Sequence, residues 1–242
     1  MPRLVVFSAK GGCGASLIAA NLAVALARHG PALLLDLHGP EGTADLLLDL
    51  RPPIGWTALL PVERELGERH LLRAVSVHPS GLHLLGAPER NDGVDAGKGS
   101  AILLQALDRH YTWLVVDAPS GAWSVAAEES DHVLLVVTPD PPALRAARRL
   151  IAATPDGLGA RTGLVLNQVG RGQPATPAEI AAGLGVPLLA SVPSDPRSVG
   201  YQIHFGQACV LDRQSALGRC VSGMAARLAA PRNQRQGRSQ TP

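Results

Sequence analysis

The chain is poor in aromatic residues and cysteine, and it carries almost no excess charge. Phe, Trp and Tyr make up 3% of its 242 residues. The cysteines are only three, Cys13, Cys209 and Cys220, and they lack the spacing of metal ligands, so we interpret them as reduced thiols of a cytoplasmic protein. The net charge of +2 rests on the arginines of residues 231–242, and we therefore expect no nucleic-acid partner.

Long hydrophobic runs are missing as well. No apolar run approaches the roughly 18–20 residues that a membrane span requires, and the chain opens with a short predicted strand instead of a secretory signal. An apolar stripe near the C-terminus has no Phe or Trp, so we expect it to pack in the core, with membrane contact at most peripheral. The stripe consists of Leu217, Val221, Met224 and Leu228.

Short runs rich in valine and leucine alternate with amphipathic stretches along the chain. Such strands are typical of parallel sheets that are buried on both faces. The alternation predicts an α/β fold with one doubly wound, mostly parallel sheet in a single domain, residues 1–230, followed by a disordered basic tail, residues 231–242. The predicted strands are residues 3–8, 32–36, 82–86, 113–117, 132–138, 163–167 and 188–192, and the predicted helices are residues 16–28, 99–109, 122–129, 142–153, 177–184 and 215–230.

The most informative segment is residues 8–16, SAKGGCGAS, between the first predicted strand and helix. Glycines let backbone N–H groups surround phosphate oxygens, and a helix N-terminus adds partial positive charge. In the ordinary pattern, G-x-x-x-x-G-K-[ST], a lysine precedes the hydroxyl residue, but here that position is Ala15. The alternative is a glycine-rich turn that binds nothing. The predicted phosphate-binding residues are Lys10, Gly11, Gly12, Cys13, Gly14, Ala15, Ser16 and Leu17.

Polar residues close several of the predicted strands, where ligands bind in open α/β sheets. Asp36, Asp117, Thr138 and Asn167 hold these positions. An aspartate at a strand end is otherwise a common turn or cap residue. Together with the glycine-rich loop, however, Ser16, Asp36 and Asp117 predict a Mg²⁺ site.

The loop, with Lys10 at its front, resembles the deviant phosphate loop of the ParA/MinD family of P-loop ATPases, K-G-G-x-G-[K]-[ST]. The resemblance implies ATP and Mg²⁺ as cofactors and a homodimer in which Lys10 reaches the partner's nucleotide. It also implies that Asn167 hydrogen-bonds the adenine and that the backbone around Pro193 flanks the ring.

One departure from that family concerns the segment after the second strand, which usually reads D-x-D. Here the second aspartate is replaced by His38. A neutral imidazole does not supply the carboxylate charge, so we expect very slow ATP hydrolysis. We interpret His38 as an exposed loop histidine in preference to a catalytic one, and Glu41 is the substitute that would position water. The candidate catalytic residues are therefore Lys10, His38 and Glu41.

Residues 138–150, TPDPPALRAARRL, resemble the CpaE/TadZ branch of the family, which places Flp-type pilus machinery at a cell pole. The resemblance implies a cytoplasmic protein, polar or peripheral at the inner membrane face, with pilus or secretion machinery as partner. Three alternatives stay open. They are an active MinD-type ATPase, a nucleotide-free pseudo-ATPase scaffold, and another MinD-like adaptor such as that of cellulose-synthase operons.

Overall fold

The computed structural model describes residues 2–90, 93–94, 96–128, 130–154, 161–170 and 172–230. The predicted basic tail, residues 231–242, lies outside these residues.

A single sheet of eight strands spans the part of the chain that the structure describes. Its strands are β1 (Arg3–Phe7), β2 (Ala32–Asp36), β3 (Ser76–Val77), β4 (His83–Leu85), β5 (Trp113–Asp117), β6 (His132–Val137), β7 (Thr162–Val169) and β8 (Leu188–Pro193). The order across the sheet is β3-β4-β2-β5-β1-β6-β7-β8. All neighbours are parallel except the β3–β4 pair. The predicted α/β fold class is therefore confirmed.

The connections between the strands are mostly helical. The helices are α1 (Ala15–Leu26), α2 (Ala44–Leu47), α3 (Glu68–Ala74), α4 (Ala96–Leu107), α5 (Trp123–Glu128), α6 (Pro141–Ala153), α7 (Pro177–Leu184), α8 (Pro196–Phe205) and α9 (Ala216–Ala229), with short 3₁₀ helices at Ala27–His29, Trp56–Glu65 and Cys209–Leu211. Each of the predicted helices and strands has a counterpart, whereas α2, α3, β3 and α8 lie outside the predicted ranges.

Helix α8 begins at a cap that the sequence contains. The Asp195 side chain accepts a hydrogen bond from the Ser198 N–H at 3.3 Å, and Pro196 occupies the first helical turn. The other carboxylate oxygen of Asp195 accepts from the Ser215 hydroxyl at 2.7 Å and from the Leu217 N–H at 3.2 Å. Asp195 therefore joins the start of α8 to the start of α9.

Helix α9 is part of the core. It packs against α1 and β8, and the predicted apolar stripe is at most 6% exposed at each of its four residues, Leu217, Val221, Met224 and Leu228. The expectation that this stripe belongs to the core is confirmed.

None of the helices in the described ranges is both long enough and apolar enough to cross a membrane.

A buried polar network ties α1 to α8 and α2. The Asn21 side-chain amide donates to Gln202 Oε1 at 2.7 Å, and the Gln202 amide donates to the Leu47 carbonyl at 3.1 Å. The N–H groups of Cys209 and Val210 donate to Gln202 and Asn21, respectively. Because each of these buried groups is paired, the network fixes the mutual positions of the three helices.

The glycines of α9 give a test of this packing. A Cβ on Gly218 would lie well inside van der Waals contact of the Cys209 carbonyl oxygen, whereas one on Gly223 would meet only Arg227 at 4.0 Å. We expect Gly218→Ala to lower the free energy of unfolding by about 1–3 kcal/mol through overpacking. Gly223→Ala on the same helix should raise it by about 0.5–1 kcal/mol. Urea denaturation measures both, and equal stability of the two variants would contradict the packing described.

Candidate functional site

The glycine-rich loop connects β1 to α1 in a conformation that depends on glycine. Gly12 and Gly14 have φ values of 84° and 88°, in the left-handed region that residues with a Cβ rarely adopt. Gly14 precedes α1, and its carbonyl accepts the first helical hydrogen bond, from the Ile18 N–H at 3.0 Å. No side chain in the described part of the chain caps this helix start. Its first N–H groups are therefore available to an anion.

The front of the loop is open to solvent. Lys10, Gly11 and Gly12 are exposed, and a Cβ placed on either glycine would meet nothing within 4 Å. The Lys10 ammonium donates to the Gly11 carbonyl at 3.4 Å. Phosphate groups therefore have room to approach the backbone at the front of the loop.

The back of the loop is buried, and Asn167 braces it. Cys13 is 2% exposed and Asn167 is 1% exposed. The Asn167 side-chain amide donates to the Cys13 carbonyl at 2.8 Å, and it lies 2.5 Å from where a Cβ on Gly14 would stand. The structure thus shows a loop-bracing contact for Asn167 that sequence reasoning missed.

The adenine contacts of Asn167 and Pro193 stay predictions. The Asn167 side-chain oxygen has no hydrogen-bond partner among the described residues, so it remains available as an acceptor. Pro193 ends β8, beside Val169 of β7, and is half-buried. Both residues lie toward the carboxyl end of the sheet, as does the glycine-rich loop.

Two aspartates lie side by side at the ends of adjacent strands. Asp36 of β2 and Asp117 of β5 are directly paired in the parallel register, and they are 1% and 0% exposed. Asp36 accepts from the backbone N–H groups of His38, at 3.0 Å, and Ala44, at 3.2 Å. Neither oxygen of Asp117 has a hydrogen-bond partner within the described residues.

The environment of Asp117 disfavours its charged form. Burial and the negative charge of Asp36 raise the pKa of the Asp117 carboxyl, and the positive charge of His38 and the nearby Ser16 hydroxyl lower it in part. Ser16 lies in the first turn of α1, and its hydroxyl is close enough to Asp117 to lower the pKa of that carboxyl, although the contact lies outside normal hydrogen-bond geometry. The start of α1 and the Asp36–Asp117 pair therefore form one site.

His38 does not fit the expectation of an exposed, neutral loop histidine. Its side chain is 21% exposed, and Nδ1 lies 2.9 Å from an Asp36 oxygen and 3.5 Å from an Asp117 oxygen. Burial alone would lower the pKa of His38, but the hydrogen bond to Asp36 and the charges of Asp117, Asp36 and Glu41 outweigh it and raise the pKa to about 9. At neutral pH His38 is therefore an imidazolium held between two carboxylates.

Glu41, the predicted water-positioning residue, lies near this group. Glu41 is exposed, and one of its carboxylate oxygens lies 2.9 Å from where a Cβ on Gly39 would stand. Its negative charge contributes to the raised pKa of His38. Its catalytic role, like that of Lys10, stays a prediction.

A second polar group, Thr138 with Asp140, lies beside Cys13 of the loop. The Thr138 hydroxyl donates to the Asp140 carboxylate and lies 3.7 Å from the Cys13 sulfur. Asp140 also caps α6 by accepting from the Ala143 N–H at 3.0 Å. The Thr138 hydrogen bond, together with a smaller effect from Lys10, lowers the pKa of Asp140. Asp140 was missed as a site residue, although an aspartate before two prolines is a recognisable helix cap.

The residues present fit a nucleotide with a divalent cation. The uncapped start of α1 and the open glycines suit phosphate oxygens. The unpaired, buried oxygens of Asp117, with Asp36 and the Ser16 hydroxyl, form an oxygen-donor set of the kind that Mg²⁺ takes. Thus the predicted phosphate-binding and metal-binding residues converge on one end of the sheet.

The part of the chain that holds this site is similar to known proteins. The family model of cellulose biosynthesis protein BcsQ matches residues 1–169, which include the loop, both aspartates and Asn167. An uncharacterized protein of Mycobacterium tuberculosis is 33% identical over 240 residues, covering 96% of this chain and 66% of that protein. The chain thus spans slightly less than two thirds of that relative's length. The septum site-determining protein MinD of Synechocystis is 28% identical over 236 residues, covering 93% of this chain and 88% of that protein.

Solved structures with the same fold include a ParA family ATPase from Chlorobium tepidum, with a TM-score of 0.83 and 24% identity over 94% of this chain and 98% of that one. A chain of the MinC:MinD cell division protein complex from Aquifex aeolicus has a TM-score of 0.78 and 24% identity, covering 100% of this chain and 98% of that one. MinD from Pyrococcus horikoshii, solved as a complex with Mg-ADP, has a TM-score of 0.76 and 23% identity over 94% and 96% of the two chains.

Substitutions at two glycines of the loop test its contributions to stability and to nucleotide binding. Gly14→Ala forces a Cβ into a left-handed residue and against Asn167, so we expect the free energy of unfolding to fall by about 1–3 kcal/mol. Binding of a non-hydrolysable ATP analogue should weaken at least about tenfold, equivalent to about 1.4 kcal/mol.

Gly11→Ala is the matched control, because its Cβ meets only open space. We expect it to leave the stability of the nucleotide-free protein unchanged. Thermal unfolding and fluorescent-nucleotide titration measure both quantities. Equal analogue affinity of the wild type and Gly14→Ala would refute the assignment of the phosphate site.

Proposed function

Because the chain belongs to the BcsQ family of MinD/ParA-like P-loop ATPases, we propose that it binds ATP with Mg²⁺ and forms a nucleotide-dependent homodimer that positions a partner apparatus, with very slow hydrolysis. The observation that carries this proposal is the single site made by the uncapped start of α1 and the buried Asp36–Asp117 pair, with Ser16 between them. An anion-binding helix start beside a cation-binding carboxylate pair suits a metal–nucleotide complex.

In the proposed complex the backbone does most of the phosphate binding. The N–H groups of Gly12, Cys13 and Gly14 and of the first turn of α1 would hold the phosphate oxygens. Ser16, Asp36 and Asp117 would hold Mg²⁺, directly or through water. The metal, when bound, neutralises phosphate charge.

Slow turnover is proposed because two groups that stabilise charge in related sites are replaced. Ala15 offers no amine to the phosphates, and His38 is paired with Asp36 and Asp117 instead of orienting a water molecule as a carboxylate would. Losing one electrostatic donor of this kind typically costs about 10²–10³ in rate. Binding through backbone N–H groups requires neither side chain.

Dimerisation is proposed from the position of Lys10. Its side chain lies exposed at the open front of the loop, where two copies facing each other would bring two triphosphates close together. A lysine reaching across would offset part of that charge in a region of low effective dielectric constant. Because the mycobacterial relative is longer than this chain, the activity of a protein of that full length is part of the proposal.

The partner apparatus is proposed to belong to the cell envelope, at the cytoplasmic face of the inner membrane. The BcsQ family match supports a partner in cellulose or related polysaccharide synthesis. The CpaE/TadZ-like stretch, residues 138–150, supports pilus machinery as the second candidate. In this stretch the α6 residues Arg145, Arg148 and Arg149 are exposed and present a basic surface to either partner.

Restoring the replaced groups tests the explanation for slow turnover. We expect Ala15→Lys combined with His38→Asp to raise ATP hydrolysis at least about tenfold over the wild type. The effects of the two changes should be non-additive, since both groups act on one transition state. Steady-state phosphate release measures this. A double variant as slow as the wild type would refute the explanation, whereas a fast wild type would favour the active-ATPase alternative. No binding of ATP would favour the scaffold.

A lysine substitution tests the dimer. We expect Lys10→Ala to keep ATP affinity within a few-fold, because the backbone N–H groups remain, but to lose ATP-dependent dimerisation. Light scattering with and without Mg²⁺ and ATP measures the oligomeric state. Lys98→Ala is the matched control, since Lys10 and Lys98 are the only lysines of the chain. A Lys10→Ala protein that still dimerises with ATP would exclude this role for Lys10.

A further inference from the structure

We propose that His38 is itself a metal ligand and that the site formed by Asp36, His38 and Asp117 selects a first-row transition-metal dication, such as Mn²⁺, Co²⁺ or Zn²⁺, over Mg²⁺. The proposal rests on the proposed function only in taking Asp36 and Asp117 as metal-binding residues. It goes further in assigning a nitrogen ligand and a different class of metal.

The three side chains already have the separations of ligands around one ion. One ligand atom from each of Asp36, His38 and Asp117 can be chosen so that all three lie within 4.8 Å of one another. His38 Nδ1 is 2.9 Å from the Asp36 oxygen and 3.5 Å from the Asp117 oxygen. Ligands bound at about 2.0–2.2 Å in tetrahedral or octahedral geometry are about 2.9–3.6 Å apart. A metal would therefore need little movement of these groups, and on binding it would displace the proton between His38 Nδ1 and Asp36 to solvent.

The Asp117 side chain points independently to a cation site. It is 0% exposed, and neither of its oxygens has a hydrogen-bond partner among the residues described. A buried carboxylate without hydrogen bonds is costly unless an ion compensates it. Its neighbour Asp36 accepts two backbone hydrogen bonds, so the carboxylate oxygens without hydrogen bonds are those of Asp117.

The chemistry of the donors decides which class of metal is favoured. Mg²⁺ binds oxygen ligands and keeps several water molecules, whereas imidazole nitrogen suits the later first-row metals. Two carboxylates and one imidazole form a mixed nitrogen–oxygen set. An aspartate in place of His38 would make the set all-oxygen and remove this preference.

The local fold also directs His38 into the cluster. The His38 backbone N–H donates to the same Asp36 oxygen that lies next to its Nδ1. This double contact holds the ring against the Asp36 carboxylate at the end of β2. The Ser16 hydroxyl, at the start of α1, also lies near Asp117.

Cobalt titration of the nucleotide-free protein, without an affinity tag, tests the proposal. We expect one equivalent of Co²⁺ to give visible ligand-field absorption that excess Mg²⁺ does not abolish. His38→Ala should weaken Co²⁺ binding at least about tenfold, a loss that removal of even a supporting group produces. His38→Asp should lower the ratio of Co²⁺ to Mg²⁺ affinity at least about tenfold. His29→Ala is the control, because His29 is exposed outside the site, and it should bind Co²⁺ like the wild type.

The outcomes separate this proposal from that of ATP binding. A His38-dependent Co²⁺ spectrum supports the metal assignment even in a protein that fails to bind ATP. Equal Co²⁺ affinity of the wild type and His38→Ala, or displacement of Co²⁺ by equimolar Mg²⁺, overturns it while leaving ATP binding untouched. Absence of Co²⁺ binding overturns it too and leaves the imidazolium as the cation of the site. Thermal unfolding verifies that each variant folds, and His38→Asn replaces His38→Ala if the latter does not.

Discussion

Two buried carboxylates side by side are the constraint around which the carboxyl end of this sheet is organised. The parallel register of β2 and β5 places Asp36 next to Asp117, and both are removed from water. Like charges so close destabilise the fold unless positive charge or hydrogen-bond donors surround them. The structure supplies these from three directions, namely the His38 ring, the backbone at the start of α2, and Ser16 at the start of α1.

Polar contacts lead from this pair to helices on the same side of the sheet. Asp36 accepts from Ala44, the first residue of α2, and the carbonyl of Leu47, its last residue, accepts from Gln202 of α8. Gln202 in turn pairs with Asn21 of α1, the helix that the glycine-rich loop precedes. This series of hydrogen bonds therefore connects the aspartate pair to the helix that begins at the phosphate site. A displacement of α1 cannot leave α2 and α8 in place without breaking a buried hydrogen bond.

Sequence alone predicts those parts of this arrangement that depend on local pattern. Continuous valine and leucine runs located the central strands, and the glycine spacing located the loop before α1. β3 was not predicted because a strand of two residues has no detectable periodicity. α8 was not predicted because Gly200 and the exposed residues Tyr201 and Phe205 interrupt its apolar pattern. The burial and charge around His38 could not be predicted from the sequence, because they depend on Asp117. The order of the strands in the sheet brings Asp117 near His38, although the two residues are far apart in the chain. The contact of Asn167 with the loop was out of reach for the same reason.

Because Asn167 lies so close to Gly14, the substitutions that each position tolerates depend on the other, although the two are far apart in the chain. A side chain at position 14 would meet the Asn167 amide unless Asn167 were replaced with something smaller, and that replacement would remove the brace from the Cys13 carbonyl. Each single change would therefore disturb the loop before the second could compensate. A lineage that abandoned the chemistry of this site would therefore tend to keep the shape of its loop long after the reason for that shape had gone.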